Sequence, residues 1–305
     1  MVENEERLVT QLHDSIDTLP DGLLDSCRTM PRPQRVLMCP PSSFDVVDVK
    51  NPHMAGQVGA VDRRQAASQW QSVRDAFADC GATVETIAPL ASCEDMVFCA
   101  NQTFTGLDAA GARHCVLGNM KHASRRREVP AFAAWFNRDG YRVHSLSEGI
   151  GFEGGGDAVW HPGRGLIWGG HGHRTNARAY DRISRIFDAP VLLLKLTSDR
   201  FYHLDTCFCP LDQRSVLVHT ASLEPSGVEL IRAVFERVIE CDADEADHGL
   251  ACNATAIATN QVVIQMGNPK TSAALRDAGF DVHEIETAEF RKSGGSVFCM
   301  KAFVF

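Results

Sequence analysis

Residues 290–305, FRKSGGSVFCMKAFVF, place a Gly-Gly-Ser turn at positions 294–296 directly before an apolar run that carries Cys299. The apolar run predicts a terminal strand, and a free cysteine in such a strand packs as a small hydrophobic side chain. The alternative is a reactive thiol. This stretch alone favours neither reading, so residues elsewhere in the chain must decide between them.

Composition and charge narrow the class of protein. The chain has 305 residues, of which 44% are hydrophobic and 23% charged, with a formal net charge of -9. No apolar run approaches the roughly 18 residues of a membrane helix, so we expect no membrane association. The negative charge and the lack of a basic, aromatic-rich run argue against nucleic acid as a partner. The acidic start MVENEER resembles no secretory signal, so a cytoplasmic location is expected.

The 11 cysteines suggest thiols in a reducing compartment. Their number is odd, and they form no CxxC pair, so neither a disulfide framework nor a zinc ribbon is indicated. The HGH and CFC pairs, His171 with His173 and Cys207 with Cys209, look ligand-like but match no familiar zinc spacing. The glycine cluster 154–156 precedes strand-like residues rather than the helix that a phosphate loop requires. We therefore expect no metal and no cofactor.

The chain alternates short β-rich runs with helical patterns. A polar segment with several prolines, residues 1–34, reads as an N-terminal extension, and no linker divides residues 35–305, which we interpret as one catalytic domain. The predicted strands are RVLMC, TVETIA, MVFCANQTFTG, HCVLG, YRVHSL, DAVWH, GLIWGG, VLLLKL, SVLVHT, QVVIQM, DVHEIE and SVFCMKAFVF. The predicted helices are QAASQWQSVRDAFADCG, PAFAAWFNRDG, RTNARAYDRISRIFD, GVELIRAVFERVIE and KTSAALRDAG. The pattern is that of an α/β fold with many short sheets.

Several separated stretches hold the residue types that a thiolate nucleophile requires. They contain Asp95 in EDMVFCAN, Glu153 in FEGGGD, His203 and Asp205 in FYHLD, and Cys299. A thiolate needs an acid–base partner and a polarised electrophile, which histidine and carboxylates supply. Each residue by itself also fits a structural role, such as closing a turn or accepting backbone hydrogen bonds.

Taken in order, these motifs resemble the guanidino-group-modifying superfamily of amidinotransferases, arginine deiminases and dimethylarginine dimethylaminohydrolases, and most of all its arginine dihydrolase and citrulline ureidase-like branch. The resemblance covers about residues 36–301. It rests on MCPPSSFDV, NPHM, MVFCAN, SRRREV, FEGGGD, GGHGHRTN, FYHLDTCFCPL, ACNA and EF-K-GGS-FC. It implies a pentein fold, a five-bladed α/β propeller of ββαβ-like units with the active site at the centre.

The resemblance also implies roles. Cys299 would attack the guanidino carbon, and His203 would protonate the departing nitrogen and then activate water. Glu153 would hold His203 or a substrate nitrogen, and Asp205 would hydrogen-bond the guanidinium. Three arginines match positions that bind the substrate α-carboxylate in relatives, with one of the first two expected to do so: Arg125, Arg126 and Arg174.

Asn101 is a departure from the family pattern. Deiminases and dimethylargininases end this motif with an aspartate that clamps the guanidinium, whereas asparagine offers both a donor and an acceptor and can hold a neutral ureido group. Asn51 in KNPHM is a second candidate contact on the ureido side, and it also fits a turn-forming Asn-Pro. Together with Asp95, these residues complete the predicted substrate site.

The leading hypothesis is a cysteine-dependent hydrolase of the guanidino or ureido group of arginine, citrulline or a methylated arginine, through a covalent thiouronium-type intermediate. Amidino transfer to an amine acceptor is chemically close and differs in how well the site excludes water. A non-catalytic pentein acting as a binding scaffold is the third alternative. The expected partner is a small arginine-like molecule, and a homo-oligomer is possible.

Overall fold

The protein is described by a computed structural model that covers residues 11–305. Among these residues, no helix combines the length and apolarity needed to cross a bilayer. The strands are β1 Leu12–His13, β2 Arg35–Met38, β3 Thr83–Thr86, β4 Thr103–Leu107, β5 Arg113–Leu117, β6 Arg142–His144, β7 Ala158–Trp160, β8 Ile167–His171, β9 Val191–Lys195, β10 Phe208–Pro210, β11 Ser215–Val218, β12 Arg237–Glu240, β13 Thr255–Ala258, β14 Gln261–Gln265, β15 Asp281–Ile285 and β16 Lys301–Val304. The α-helices are α1 Leu23–Ser26, α2 Arg63–Asp79, α3 Ala123–Arg126, α4 Val129–Arg138, α5 Ala179–Phe187, α6 Pro225–Val234, α7 Ala243–Asp247, α8 Pro269–Asp277 and α9 Ala288–Arg291.

Five small sheets, built to one plan, make up the described part of the chain. Their strand orders are β16-β2-β3, β4-β5-β6, β7-β8-β9 with β1 added at the edge, β10-β11-β12 and β13-β14-β15. In each sheet the first pair is antiparallel and the second pair parallel. A parallel pair needs a crossover, and α2, α4, α5, α6 and α8 supply it. The predicted α/β architecture of short sheets is confirmed.

The C-terminal strand completes the sheet in which the body of the chain begins. β16 pairs antiparallel with β2, so that Lys301 lies opposite Met38 and Val304 opposite Arg35. Cys299 therefore lies in the turn before β16 and not inside a strand, which differs from the predicted strand over SVFCMKAFVF. The pairing with β2 fixes where that turn lies.

The crossover helices are amphipathic, and their apolar faces pack against the core. In α2 the Asp62 side chain caps the N-terminus by accepting from the backbone N–H of Arg64 and Gln65. Trp70, Val73 and Phe77 of this helix are buried in one hydrophobic cluster. The helix therefore follows the predicted pattern closely, because both the cap and the apolar spacing are local signals.

Two predictions were wrong in extent. The helix predicted over GVELIRAVFERVIE ends at Val234, and Arg237–Glu240 is instead β12, which pairs in parallel with β11. Its β-branched residues suit a strand, and tertiary pairing overrides the helical spacing.

The strand predicted over MVFCANQTFTG begins only at Thr103, because residues 95–102 form turns. Sequence reasoning also missed Phe208–Pro210 and Thr255–Ala258 as strands.

Residues 11–33, part of the predicted extension, pack along the body. β1 pairs in parallel with β9. The Arg28 guanidinium donates to the carbonyl oxygens of Leu107 at 2.6 Å and Phe187 at 3.1 Å. The boundary between an extension at 1–34 and a catalytic domain at 35–305 stays a prediction.

Candidate active site

Most of the predicted site residues surround a small pocket of about 20 Å³. The lining residues are Lys50, Asn51, Met54, Asp95, Phe98, Asn101, Arg125, Arg174, Tyr202, Ser293, Gly295 and Cys299. They come from turns at the ends of several sheets, which is where loops can vary without disturbing the strands. The pocket is thus built from stretches that lie far apart in the sequence.

Cys299 has two side-chain partners. Its Sγ lies 3.1 Å from Asp205 Oδ2, and Asn253 Nδ2 donates to the sulfur at 3.1 Å. Asn253 Oδ1 in turn accepts from the backbone N–H of Ser296 and of Cys299, which holds the turn in place. Burial raises the pKa of the Cys299 thiol well above its ordinary value, and the Asp205 charge raises it further. Both effects favour the protonated thiol over the thiolate.

Asp205 is the carboxylate next to the thiol. It is fully buried, and burial raises its pKa to about 7, although the Cys299 hydrogen bond and the charge of Lys301 oppose the shift. Its second oxygen, Oδ1, has no hydrogen-bond partner in the part of the chain that the structure describes. A buried carboxylate oxygen without a partner is costly, which indicates that a donor from outside the chain belongs there.

His203 is held by Glu153. His203 Nε2 and Glu153 Oε2 are 2.7 Å apart, and both side chains are buried. Glu153 also accepts from Arg174 at 3.2 Å and from the backbone N–H of Lys121 at 2.9 Å. Burial alone would raise the pKa of Glu153, but the hydrogen bond to His203 and the nearby positive charges hold it well below its usual range. Glu153 is therefore an anion that fixes the imidazole.

Asn101 determines which nitrogen of His203 carries the proton. Arg125 Nη1 donates to Asn101 Oδ1 at 2.8 Å, so the amide NH₂ must face His203 Nδ1, which lies 3.3 Å away. Nδ1 then accepts from the amide, and Nε2–H donates to Glu153. Neutral His203 therefore presents its lone pair on Nδ1.

The arginines predicted for the α-carboxylate take three different positions. Arg125 is buried in an ion pair with Glu128 at 3.1 Å and lines the pocket. Arg174 lines the pocket too and stacks over the Tyr202 ring at 4.8 Å. Arg126 is exposed and donates to the backbone carbonyls of Met120 and Lys121, so the structure places it outside the pocket.

Two further predicted contacts have local roles as well. Asn51 Oδ1 accepts from the backbone N–H of His53, which caps the short 3-10 turn Pro52–Met54, while Asn51 Nδ2 donates to Ser293 O at 3.0 Å. Asp95 Oδ2 lies 3.1 Å from Lys50 Nζ, and its Oδ1 accepts from Ser293 Oγ at 3.2 Å. Both residues line the pocket.

The turn at residues 154–156 needs glycine because it lies very close to the backbone and side chain of neighbouring residues. Gly154 has a φ of +57°, in the left-handed region, and a Cβ there would lie 2.6 Å from the carbonyl oxygens of Asn101 and Thr103. At Gly156 a Cβ would overlap the Asn101 amide. The 3-10 turn Gly154–Gly156 thus packs directly beneath Asn101.

Sequence reasoning missed several site residues, among them Asn253, Lys50 and Tyr202. Asn253 lies in the ACNA motif, which was noted only as part of the resemblance, and Lys50 and Tyr202 are neighbours of predicted residues. An adjacent motif was the only signal available for them. The hydrogen-bond partners of the Cys299 thiol are Asp205 and Asn253. In residues 11–305 no group of three or more His, Cys, Asp or Glu side chains is placed to hold a metal ion.

Comparisons with known proteins find relatives over most of the chain. The bifunctional arginine dihydrolase/ornithine cyclodeaminase ArgZ of Synechocystis is 33% identical over 269 residues, which cover 87% of this chain and 37% of that protein. AgrE of Nostoc, described in the same words, is 34% identical with the same coverage. The chain thus spans little more than a third of these two relatives. The N(G),N(G)-dimethylarginine dimethylaminohydrolase of Mycobacterium tuberculosis is 33% identical, covering 89% of this chain and 86% of that protein.

Solved structures of ArgZ are similar in fold. The N-terminal domain of ArgZ, crystallised as a cysteine-to-serine mutant bound to substrate, has a TM-score of 0.83 at 32% identity and covers 88% of this chain and 97% of its own. A second structure of that domain, an asparagine-to-serine variant covalently bound to a reaction intermediate, has the same TM-score.

A family model described as N,N dimethylarginine dimethylhydrolase, eukaryotic, matches residues 49–305. This match and the relatives above confirm the resemblance that the sequence motifs indicated. The chain belongs to the N,N-dimethylarginine dimethylhydrolase family, within the guanidino-group-modifying enzymes.

Proposed function

We propose that this protein is a cysteine-dependent hydrolase of the guanidino or ureido group of an arginine-like amino acid. One observation supports this most directly. Asp205 Oδ2 accepts a hydrogen bond from the Cys299 thiol, whereas Asp205 Oδ1 has no partner among the described residues. A guanidinium would supply the missing donor and would lie against the sulfur at the same time.

The charges around the pocket suit the two ends of such a substrate. Arg174, whose guanidinium lines the pocket, offers remaining N–H groups to an α-carboxylate. Asp205 and Cys299 take the guanidino end. Asp95 is paired with Lys50, whose ammonium also contacts Asp48 and Glu94. These assignments extend the roles expected from the sequence.

In the first step Cys299 Sγ forms a bond to the guanidino carbon. A guanidinium beside the thiol favours the thiolate, because an opposite charge within about 4–6 Å stabilises the charged form. The thiol proton leaves, by way of His203, on the departing nitrogen. Ammonia departs from arginine, or an amine from a methylated arginine, and a thiouronium intermediate remains on the sulfur.

In the second step water attacks the same carbon. His203, held in place by Glu153, accepts the water proton. The carbon–sulfur bond then breaks, the thiol regains a proton, and citrulline is released. A second round on the ureido group would give ornithine, ammonia and carbon dioxide, with water again consumed.

The finer features of the fold and setting are part of this proposal. One strand from each of the five sheets, β4, β7, β10, β13 and β16, lines a common cavity, which supports the five-bladed pentein arrangement. All 11 cysteines are free, which fits a reducing cytoplasm. A homo-oligomer remains compatible with this chemistry. The second activity of the bifunctional relatives lies outside the part that this chain matches.

The test is to incubate the protein separately with arginine, citrulline and dimethylarginine and to measure ammonia, amines, citrulline and ornithine. Activity should be lost in Cys299→Ala and retained in Cys99→Ala, a matched control that removes another buried thiol near the pocket. No product from any of the three substrates would contradict the proposal. A new guanidino compound formed with glycine or lysine would show amidino transfer instead.

A further inference from the structure

A second cavity lies on the other side of the segment that carries Cys299. Its volume is about 90 Å³, and residues from β4, β7, β10, β13 and β16 line it. Phe298 and Lys301 face this cavity, whereas Cys299 lines the candidate active site. The cavity is therefore distinct from the pocket described above.

Lys301 is the unusual residue of this cavity. It is 1% exposed, and its Nζ makes one long hydrogen bond, to Phe298 O at 3.4 Å. The Nζ lies 3.3 Å from the centre of the Phe298 ring and 4.0 Å from that of Phe303. An ammonium has three N–H donors, so most of its hydrogen-bonding capacity is unused within the described chain. Buried polar groups are normally satisfied.

A second polar group without a partner lines the same cavity. The Thr255 hydroxyl, on β13, is buried and has no hydrogen-bond partner in the described residues. A lysine amine and a threonine hydroxyl together can donate to one oxygen-bearing ligand. Because a buried polar group without a hydrogen-bond partner is costly, a ligand that bonds both groups would recover that cost.

The rest of the lining defines the charge and shape of such a ligand. The side chains that line the cavity within residues 11–305 include Lys301 and Arg32 but no aspartate or glutamate. The remaining walls are largely apolar and include Trp160, Phe298 and Phe303. An anion matches the charge, and a short alkyl group matches the walls. A cavity of this volume has room only for a small ligand.

We propose that this cavity is a binding site for a small monocarboxylate, whose carboxylate accepts from the Lys301 ammonium and the Thr255 hydroxyl while its short alkyl chain packs against the aromatic wall. Propanoate is the simplest ligand of this class. The site does not depend on the proposed hydrolase activity, because none of its polar groups belongs to the candidate active site.

The electrostatics of Lys301 give the site a pH dependence. Burial lowers the pKa of Lys301 to about 7, and the Asp205 carboxylate opposes this shift. The nearby thiols of Cys209, Cys299 and Cys99 have pKa values that burial raises, and the other titratable side chains lining the cavity are Arg32 and His161. A bound carboxylate adds a closer negative charge and therefore favours the ammonium. Affinity should be highest below pH 7 and should fall as the pH rises through 7 and the empty-site lysine becomes neutral.

The experiment titrates the whole chain with propanoate at pH 6 and at pH 8.5. Calorimetry and saturation-transfer NMR measure the binding, and propanamide serves as the uncharged analogue. We expect saturable propanoate binding that weakens at pH 8.5, and no matching binding of propanamide. Lys301→Met should weaken binding by roughly tenfold or more, the range for a hydrogen bond to a charged group. Thr255→Val should weaken it less, and the exposed-site control Lys270→Met should not change it.

An active-site variant distinguishes the two pockets. Arg174→Met should leave the propanoate affinity of the cavity unchanged, because Arg174 lines only the candidate active site. If binding instead disappeared in Arg174→Met and survived in Lys301→Met, the carboxylate would occupy the active site and the proposal would be overturned. Absence of saturable binding to folded wild-type protein, or equal binding of propanamide, would overturn it as well and would leave water as the occupant.

Discussion

Asn101 links the guanidinium of Arg125 to the imidazole of His203. Its Oδ1 accepts from Arg125, and its Nδ2 faces His203 Nδ1. The buried Arg125–Glu128 ion pair therefore orients the amide, and the amide orients the proton of the imidazole. An amide can make both contacts because it is a donor and an acceptor, whereas a carboxylate is only an acceptor.

Asn101→Asp should make the enzyme stop at citrulline. Aspartate would add a negative charge that favours the cationic arginine, and it would remove the amide N–H that can donate to a neutral ureido oxygen. Its carboxylate would also accept a hydrogen bond from Nδ1–H, which favours a His203 imidazolium that cannot activate water. The measurement is the ratio of ornithine to citrulline formed from arginine, together with the initial rate on citrulline, at matched pH. An unchanged ratio and rate in a folded variant would show that Asn101 does not sort the two substrates.

The reactivity of Cys299 should depend on Asp205. Burial and the Asp205 charge raise the pKa of the thiol, so iodoacetamide should label Cys299 slowly at neutral pH and faster as the pH rises. Asp205→Asn removes the negative charge, so labelling at pH 7 should become faster, by about tenfold for each pKa unit recovered. Mass spectrometry of the Cys299 peptide measures this rate, and an arginine-like ligand should protect the thiol.

Cys99 is the internal control for this labelling, since burial raises its pKa but Asp205 is not among the causes. Slower labelling of Cys299 in Asp205→Asn would mean that Asp205 acts as the base that removes the thiol proton rather than as a charge that retains it.

At the scale of elements, the 3-10 turn Gly154–Gly156 packs against the side-chain amide of Asn101. Gly156→Ala should displace that amide and with it the contact to His203, because the added Cβ would overlap the Asn101 NH₂. A misplacement of about 1 Å in a site can cost roughly a hundredfold in rate. We expect a loss of that order in kcat with the fold retained, as judged by circular dichroism.

Gly155→Ala is the matched control for this turn. A Cβ at Gly155 would lie 3.2 Å from Ala100 O and away from the Asn101 side chain, so only a small change in rate is expected. Equal rate losses in the two variants would indicate that the turn as a whole, and not the Asn101 amide, sets the rate.

At the scale of the whole molecule, the buried Lys301 lines a cavity to which each of the five sheets contributes one strand. Its folded-state pKa of about 7 lies below the ordinary lysine value of 10.5, so the folded protein binds fewer protons than the unfolded chain between these values. The free energy of unfolding therefore rises with pH across this window. Burial of Lys301 lowers that free energy most at the low-pH end, where the buried amine must carry its charge.

Lys301→Met should be more stable than wild type by on the order of 2–4 kcal/mol near pH 7, and the difference should shrink toward pH 10. Denaturant unfolding at several pH values measures it. The exposed Lys270→Met serves as the control, for which little change is expected. A difference that stayed constant from pH 7 to pH 10 would show that Lys301 is not held with a lowered pKa.

The sequence by itself was sufficient for the family, the α/β class and the residue types of the site. Local signals explain this: the Asp62 cap and apolar spacing predict α2, and the order of Glu153, His203, Asp205 and Cys299 carries the resemblance. Such patterns can be read from the sequence, because helix periodicity and motif order do not depend on contacts between distant segments.

Only the tertiary structure decided how those residues meet. It pairs Cys299 with Asp205, 94 positions away, brings in Asn253, and separates Arg125 in the pocket from Arg126 at the surface, one residue along the same helix. It also turns β16 into a partner of β2, which moves Cys299 out of the predicted strand. Partner, burial and therefore pKa depend on which distant segments pack together, and that information lies in long-range contacts rather than in local sequence.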